Sequence, residues 1–166
     1  MTLTTRSMTI QDCEAVARIY NEGIDDRIAT FETRHRTPTE IASWPGTRYP
    51  VVVVTDGDVV VAFAATSTYR SRACYDGIAE FSVYVARDER GRGAGRLAME
   101  ALLESAAQAG FWKLLSRVFT ENTASLGLLK RVGFREVGVY EKHARLDGRW
   151  RDVVIVERLL GSFDDD

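Results

Sequence analysis

Apolar residues recur at helical spacing near the start of the chain. In TIQDCEAVARIYNEGI, Ile10, Cys13, Val16, Ala17, Ile19 and Tyr20 share one face, Thr9 opens the pattern and Asp12 is the acid of its first turn. This predicts an amphipathic first helix. The stretch that follows, DDRIATFETRHRTPTE, has little periodicity and reads as a surface loop, with a short helix over TEIASW ended by Pro45 and Gly46. Two β-branched runs, YPVVVVTD and VVVAFAATST, flank Asp56-Gly57, where glycine accepts the positive φ of a tight turn, so an antiparallel hairpin is predicted. In IAEFSVYVA the side chains alternate, with Glu80, Ser82 and Tyr84 on one face and Phe81, Val83 and Val85 on the other. A rigid strand would therefore aim Glu80. A helical pattern through Leu97, Ala98, Ala101, Leu102, Ser105 and Ala106 runs from Gly95 to Ala109, and Gly110 stands where a glycine past the last turn stops a helix. WKLLSRVF predicts a strand and NTASLGLLKRVG a helix stopped by Gly133, and VGVYEKHARL with RWRDVVIVERLL makes a last hairpin turned at Asp147-Gly148.

With 166 residues the chain is long enough for one domain with a core and short for two, so residues 1–166 are expected to form a single domain with a flexible acidic tail over 161–166. A composition of 45% hydrophobic and 28% charged residues belongs to soluble globular proteins. The formal net charge is −2 with the signs interspersed, which offers no field to attract nucleic acid. Cys13 and Cys74 are far apart and have no metal-ligand spacing, so neither a structural metal nor a disulfide framework is expected. MTLTTRSMTIQDC has no basic segment leading into an apolar one, and no apolar run is long enough to span a bilayer. The expectation is a cytoplasmic protein without a membrane partner.

The chemistry concentrates in VYVARDERGRGAGRLAMEALL, where a strand leads through a basic glycine-rich turn into a helix. Such a turn presents backbone N–H groups and a helix dipole to an anion, and its glycines let a phosphate come close. It lacks the GxxxxGK[ST] of a P-loop. It also does not read as a dinucleotide-fold GxGxxG, because the glycines stand at 91, 93 and 95 and no acidic residue ends a following strand. Taken alone, a GxG turn is more often a solvated connection. Here Arg90, Gly93 and Gly95 form RxxGxG, which resembles the acetyl-CoA signature of the GCN5-related N-acetyltransferases (GNAT), and Asn122 and Ser125 in ENTASLGLLKRVGF resemble that superfamily's NxxSxxLYxxxGF segment. Asn and Ser at a helix start also serve as caps, and both roles can coexist.

TFETRHRTP, YRSRACYDGIAEFSVYV and DGRWRDV narrow the resemblance to the phosphinothricin and methionine sulfoximine N-acetyltransferases, including the arsinothricin-resistance branch, which acetylate the α-amino group of small glutamate-like compounds. The resemblance implies an α/β (α+β) fold with a mixed sheet split in a V and flanked by helices, acetyl-CoA as co-substrate, no metal, a small-molecule amine as acceptor, a role in antibiotic or herbicide detoxification, and a homodimer. It implies Glu80 as general base and Phe31, Phe81 and Ser82 in the acceptor pocket. Arg70, Ser71 and Arg72 would meet the anionic end of the substrate. Val83, Tyr84 and Val85 would lie along pantetheine, Arg90, Gly91, Arg92, Gly93, Ala94, Gly95 and Arg96 would hold the diphosphate, and Asn122 and Ser125 would complete the cofactor site. Tyr140 would protonate the leaving thiolate or else simply pack in the hairpin. Asp147 stands where some relatives carry a histidine, so no second catalytic group is expected there.

These residue types suit the chemistry without any family. An ammonium cannot attack a thioester, so a carboxylate must take its proton directly or through water, and partial burial on a strand beside Ala79, Phe81 and Val83 would raise the pKa of Glu80 and make it a better base. Backbone N–H groups near Val85 would stabilise a tetrahedral oxyanion. Planar guanidinium forks at Arg70 and Arg72 suit phosphinate, arsinate or carboxylate oxygens. The bland alternatives are a salt bridge from Glu80 to Arg70 or Arg72 and a charged surface loop for the arginines. His35 and His143 read as surface residues and Cys74 as a packing residue. A protein N-terminal or lysine acetyltransferase and an idle acyl-CoA binding module are the competing functions.

Overall fold

A computed structural model describes residues 2–161 and 163, so most of the expected flexible tail lies outside the described residues. Strands β1 (Leu3–Ser7), β2 (Val51–Asp56), β3 (Val59–Thr68), β4 (Ile78–Val85), β5 (Lys113–Phe119), β6 (Arg135–Leu146) and β7 (Arg149–Leu159) form one sheet in the order β1-β2-β3-β4-β5-β7-β6. Every pairing is antiparallel except that of β4 with β5. The helices are α1 (Cys13–Asp25), α2 (Pro38–Ile41), α3 (Ala94–Gln108) and α4 (Thr123–Arg131).

The unbroken valine run of β2 follows from cover on both faces. Val52 and Val54 pack with Ala98, Met99 and Leu102 of α3, whereas Val51 and Val53 pack with Val16, Ala17 and Ile19 of α1. Burying each such side chain stabilises the fold by about 1.5–3 kcal/mol relative to leaving it exposed. The same alternation runs through β4, where Ala79 and Phe81 join the α3 core and Tyr84 joins the α1 core. Gly23 on α1 makes room for Tyr84, since a Cβ there would lie 2.5 Å from the ring. Phe111 N donates to Ala106 O and Gly110 N to Ala107 O, closing α3 as a Schellman cap with Gly110 at φ +92. Gly133, at φ +96, ends α4 through the equivalent bonds to Leu129 O and Lys130 O.

Three local features differ from the sequence reading. Leu3–Ser7, which has no strand pattern, is an edge strand laid antiparallel on β2. The first helix begins as a 3₁₀ turn over Ile10–Asp12, in which the buried Asp12 accepts from the Thr9 amide at 2.8 Å and from both Arg6 nitrogens at 2.7 and 2.9 Å. The first hairpin turns at Gly57-Asp58 rather than Asp56-Gly57, because Asp56 still pairs with Val59 and Gly57, at φ +60, takes the first central position. The last hairpin does turn at Asp147-Gly148, both with positive φ (51 and 79) as a type I′ turn needs.

Candidate active site

The phosphate-loop candidate is built by backbone. Gly91 and Gly93 have φ +82 and +83, and a Cβ on either would meet nothing within 4 Å, so both face open space. Gly93 caps α3, whose first intrahelical bond runs from Leu97 N to Gly93 O, leaving the preceding amides without an intrahelical acceptor. Gly95 serves differently: its Cβ would lie 3.2 Å from Leu128 and 3.4 Å from Val85, so its smallness lets α4 and β4 close on α3. The arginines here are already engaged. Arg87 and Arg90 donate to Asp26 at 2.8 and 2.7 Å, Arg92 donates to Glu89 and, at 3.0 Å, to Asp56, and Arg96 pairs with Glu100. Burial raises the Asp26 pKa, and the bonds from Arg90 and Arg87 outweigh it, so the carboxyl stays below its usual range.

Strands β4 and β5 share only the rungs Ile78–Lys113, Ala79–Leu114 and Glu80–Leu115 and then part. That parting is the V. Ser116 Oγ donates to Phe81 O at 2.9 Å, and Arg90 Nε to Val85 O at 3.4 Å. The odd-numbered peptide groups of β4 thus point into the gap, and the two-residue alternation sends the N–H groups of Val83 and Val85 the same way. A small cavity occupies the gap, lined by Ser82, Val83, Tyr84, Ser116, Asn122 and Ser125 among others. Asn122 caps α4, accepting from Ser125 N at 3.2 Å and donating to Ile28 O at 3.4 Å, so its side chain is shared between a helix start and the segment crossing the gap.

That segment runs over 26–37 from the end of α1 to the start of α2. Arg27 pairs with Asp147 at 3.2 Å, and Asn21 holds Arg36 through bonds of 2.9 and 2.8 Å. Phe31 packs on Phe119 with ring centroids 4.7 Å apart. Beneath the segment is a cavity of about 530 Å³ lined by Tyr20, Thr30, Phe31, Glu32, Glu80, Ser82, Tyr84, Arg117, Phe119 and His143, among others. Burial pushes both Tyr20 and Tyr84 hydroxyls up, so neither ionises near neutrality.

Glu80 lines this cavity, next in sequence to Phe81 and near Ser82 and Tyr84, which line both spaces. It is partly buried. Its side chain is 28% exposed and accepts from Arg117 Nη2 at 2.9 and 3.1 Å. The salt-bridge partner is therefore Arg117, not Arg70 or Arg72. Arg117 could be read from sequence as a strand residue; its meeting with Glu80 follows from the parallel rungs of β4 and β5.

Phe31, Phe81, Ser82, Asn122 and Ser125 come together at these cavities. Arg70, Ser71 and Arg72 line neither. They sit in the exposed loop joining β3 to β4, at the Glu80 end because Ser67 pairs with Glu80, and the Arg70 guanidinium lies 5.1 Å from the Tyr69 ring centre. Tyr140 also lines neither. It is 53% exposed on the edge strand β6, with its ring 5.0 Å from that of His143. His143 is exposed yet lines the larger cavity, carried there by a bulge in which Lys142 takes φ +47 and its amide donates to Asp152 at 2.7 Å. Cys74, expected to pack, is instead exposed on a 3₁₀ turn. In the NxxSxxLYxxxGF pattern the tyrosine position is Leu129, buried in the core.

A family model described as the acetyltransferase (GNAT) family matches residues 16–134. An L-methionine sulfoximine/L-methionine sulfone acetyltransferase from Pseudomonas aeruginosa is 30% identical over 165 residues, covering 95% of this chain and 94% of its own. A phosphinothricin N-acetyltransferase from Streptomyces coelicolor is 32% identical over 157 residues, covering 90% and 92%. Among solved structures, a GNAT superfamily phosphinothricin acetyltransferase from Sinorhizobium meliloti in complex with acetyl-CoA superposes with a TM-score of 0.90 at 28% identity, covering 97% of this chain and 90% of that one.

Proposed function

The chain belongs to the acetyltransferase (GNAT) family and is an acyltransferase, and on that footing we propose that it moves the acetyl group of acetyl-CoA directly to the α-amino group of a small anionic amino-acid analogue. One observation supports this above the others: a strand-borne carboxylate, Glu80, lines a cavity of about 530 Å³ that shares Phe81, Ser82 and Tyr84 with the backbone-lined gap. The solved relative bound to acetyl-CoA supports the co-substrate, as does the open space at Gly91 and Gly93, which would hold the diphosphate on the first amides of α3. Asn122, Ser125 and the Val83–Val85 main chain would line the pantetheine arm.

In this reading Glu80 takes a proton from the ammonium, directly or through water, and passes it to solvent. The neutral amine forms the C–N bond, the Val83 and Val85 N–H groups face the oxygen on which charge develops, and the C–S bond breaks. The second proton shed by nitrogen neutralises the sulfur through water. Tyr140 has no part in this route, because it lines neither cavity. Arg70 and Arg72 extend from the Glu80 end to meet the distal anionic group of a phosphinothricin- or arsinothricin-like acceptor, which would make the enzyme a detoxifying one.

We further propose a homodimer joined through the last hairpin, since Val137, Val139, Tyr140 and Trp150 leave about half of their surface exposed on or beside the edge strand. A reducing cytoplasm suits the two free cysteines. Among the described residues no helix is long and apolar enough to cross a membrane. The deciding experiment measures free CoA release with phosphinothricin, methionine sulfoximine, methionine sulfone, arsinothricin and a mixed peptide panel. Turnover confined to peptides would replace the small-molecule reading with a protein acetyltransferase.

A further inference from the structure

Among the described residues, the larger cavity has one arginine in its lining, Arg117, and no lysine. Its two lining carboxylates are Glu80 and Glu32, and Glu32 is taken by Arg36 at 2.9 Å. Arg117 offers its Nη2 to both oxygens of Glu80. In the free protein, then, the proposed base and the cavity's arginine satisfy each other, and a second carboxylate entering the cavity finds no other arginine or lysine on its walls.

We infer that Arg117 is the binding site for the α-carboxylate of the acceptor and that this carboxylate displaces Glu80 from it. The inference rests on the reading of Glu80 as the base. An α-amino acid is a zwitterion whose two charged groups sit on one carbon, so it can exchange partners with the ion pair it meets. Its carboxylate goes to the Arg117 guanidinium, and its ammonium goes to the Glu80 carboxylate released by that move. Charge is conserved and each ion keeps a partner, which avoids leaving an unpaired charge in a partly buried site. Adjacency fixes which anion Arg117 takes. Because it touches Glu80 itself, it can serve only the carboxylate next to the reacting nitrogen, while a distal phosphinate or arsinate falls to Arg70 and Arg72. An amine without a carboxylate has nothing to offer Arg117, so Glu80 stays paired with Arg117 and is not free to meet the ammonium. Arg117 thereby selects α-amino acids over simple amines of the same shape.

The test compares L-methionine sulfone with its carboxamide, which keeps the amine and the side chain and lacks the negative charge. Calorimetric binding to the CoA-saturated protein is measured first and acetyl transfer second. The wild-type protein is expected to prefer the acid. Arg117→Gln should weaken acid binding by about 10- to 100-fold, the loss of one charge-assisted contact, and change amide binding less than about threefold. Arg117→Lys should recover part of the preference, and melting temperature and CoA affinity should stay near wild type in both variants. Equal losses on acid and amide, or a wild-type protein that binds the two alike or binds neither, overturn the assignment. Glu80→Gln separates this inference from the reading beneath it. If that variant keeps full turnover while Arg117→Gln abolishes the acid preference, the base assignment falls and the carboxylate site stands.

Discussion

Replacing Glu80 by Gln changes one atom and should separate chemistry from stability. The side chains of Glu80 and Arg117 are 28% and 46% exposed, so the ion pair that the change removes is close to a surface pair, contributing about 0.2–1 kcal/mol. For a domain of this size that shifts the melting temperature by at most about 4 °C. Removing a general base costs about 10²- to 10⁴-fold in rate, equivalent to about 2.7–5.5 kcal/mol in the barrier. The two effects are far enough apart to be read independently. The assay follows free CoA from L-methionine sulfone between about pH 6.5 and 10, with thermal melting on the same samples. Glu80→Gln should lose at least about 10²-fold in kcat near neutrality. The deficit should shrink as pH rises through the amine's own pKa, where the nucleophile no longer needs a base. A variant with normal kcat and an unaltered pH profile would show that water or another group takes the proton.

The two loop glycines should fail in different ways. Gly93→Ala places a Cβ in open space at a left-handed φ, costing about 1–2 kcal/mol of stability and raising the Kd for acetyl-CoA, whereas Gly95→Val should crowd Leu128 and Val85 and lower the melting temperature more than Gly93→Ala does; calorimetry and melting scans that ranked them the other way would reverse the two assignments. Hydrogen bonds from Arg6, partly offset by burial, hold the Asp12 carboxyl below its usual pKa. Its stabilisation is therefore complete above the unfolded carboxylate value near pH 3.9 and fades as pH falls through the lower folded value, so Asp12→Asn should destabilise by about 1.5–3 kcal/mol at pH 7 and by progressively less in acid. Light scattering at micromolar concentration should give twice the chain mass, and a monomer mass would remove the last hairpin as an interface.

What the sequence discloses here is what local spacing controls. The alternation of IAEFSVYVA places Glu80, Ser82 and Tyr84 on one face, as found, and the glycines after α3 and α4 end both helices. The phosphate-loop candidate is legible because glycine is the residue that accepts those φ values without cost. What the sequence hides depends on contacts between distant segments. Leu3–Ser7 is a strand because β2 offers it an edge; LTTRS has no apolar alternation of its own. The partner of Glu80 is 37 residues away and is brought in by three rungs of a parallel pairing that no periodicity encodes. The alternating pattern likewise tells which face Glu80 occupies and not what stands opposite. His143 reaches the cavity through a bulge pinned by Asp152, a departure from the period that sequence reading assumes.

On the proposed function, the parting of β4 from β5 divides the site by the kind of atom each substrate would meet. On the proposed donor side the groups on offer would be mainly main-chain N–H groups, at Val83 and Val85 and in the first turn of α3, with the Asn122 and Ser125 side chains beside them, and a point substitution other than proline leaves an N–H in place. On the proposed acceptor side they would be side chains, Phe31 and Arg117 on the cavity wall and Arg70 and Arg72 on the loop outside it, each of which a single codon change removes or replaces. Mutation can therefore explore one half of the reaction while the other is held constant. On that reading a lineage built on this frame would wander among amines, natural or synthetic, and keep its acetyl source throughout.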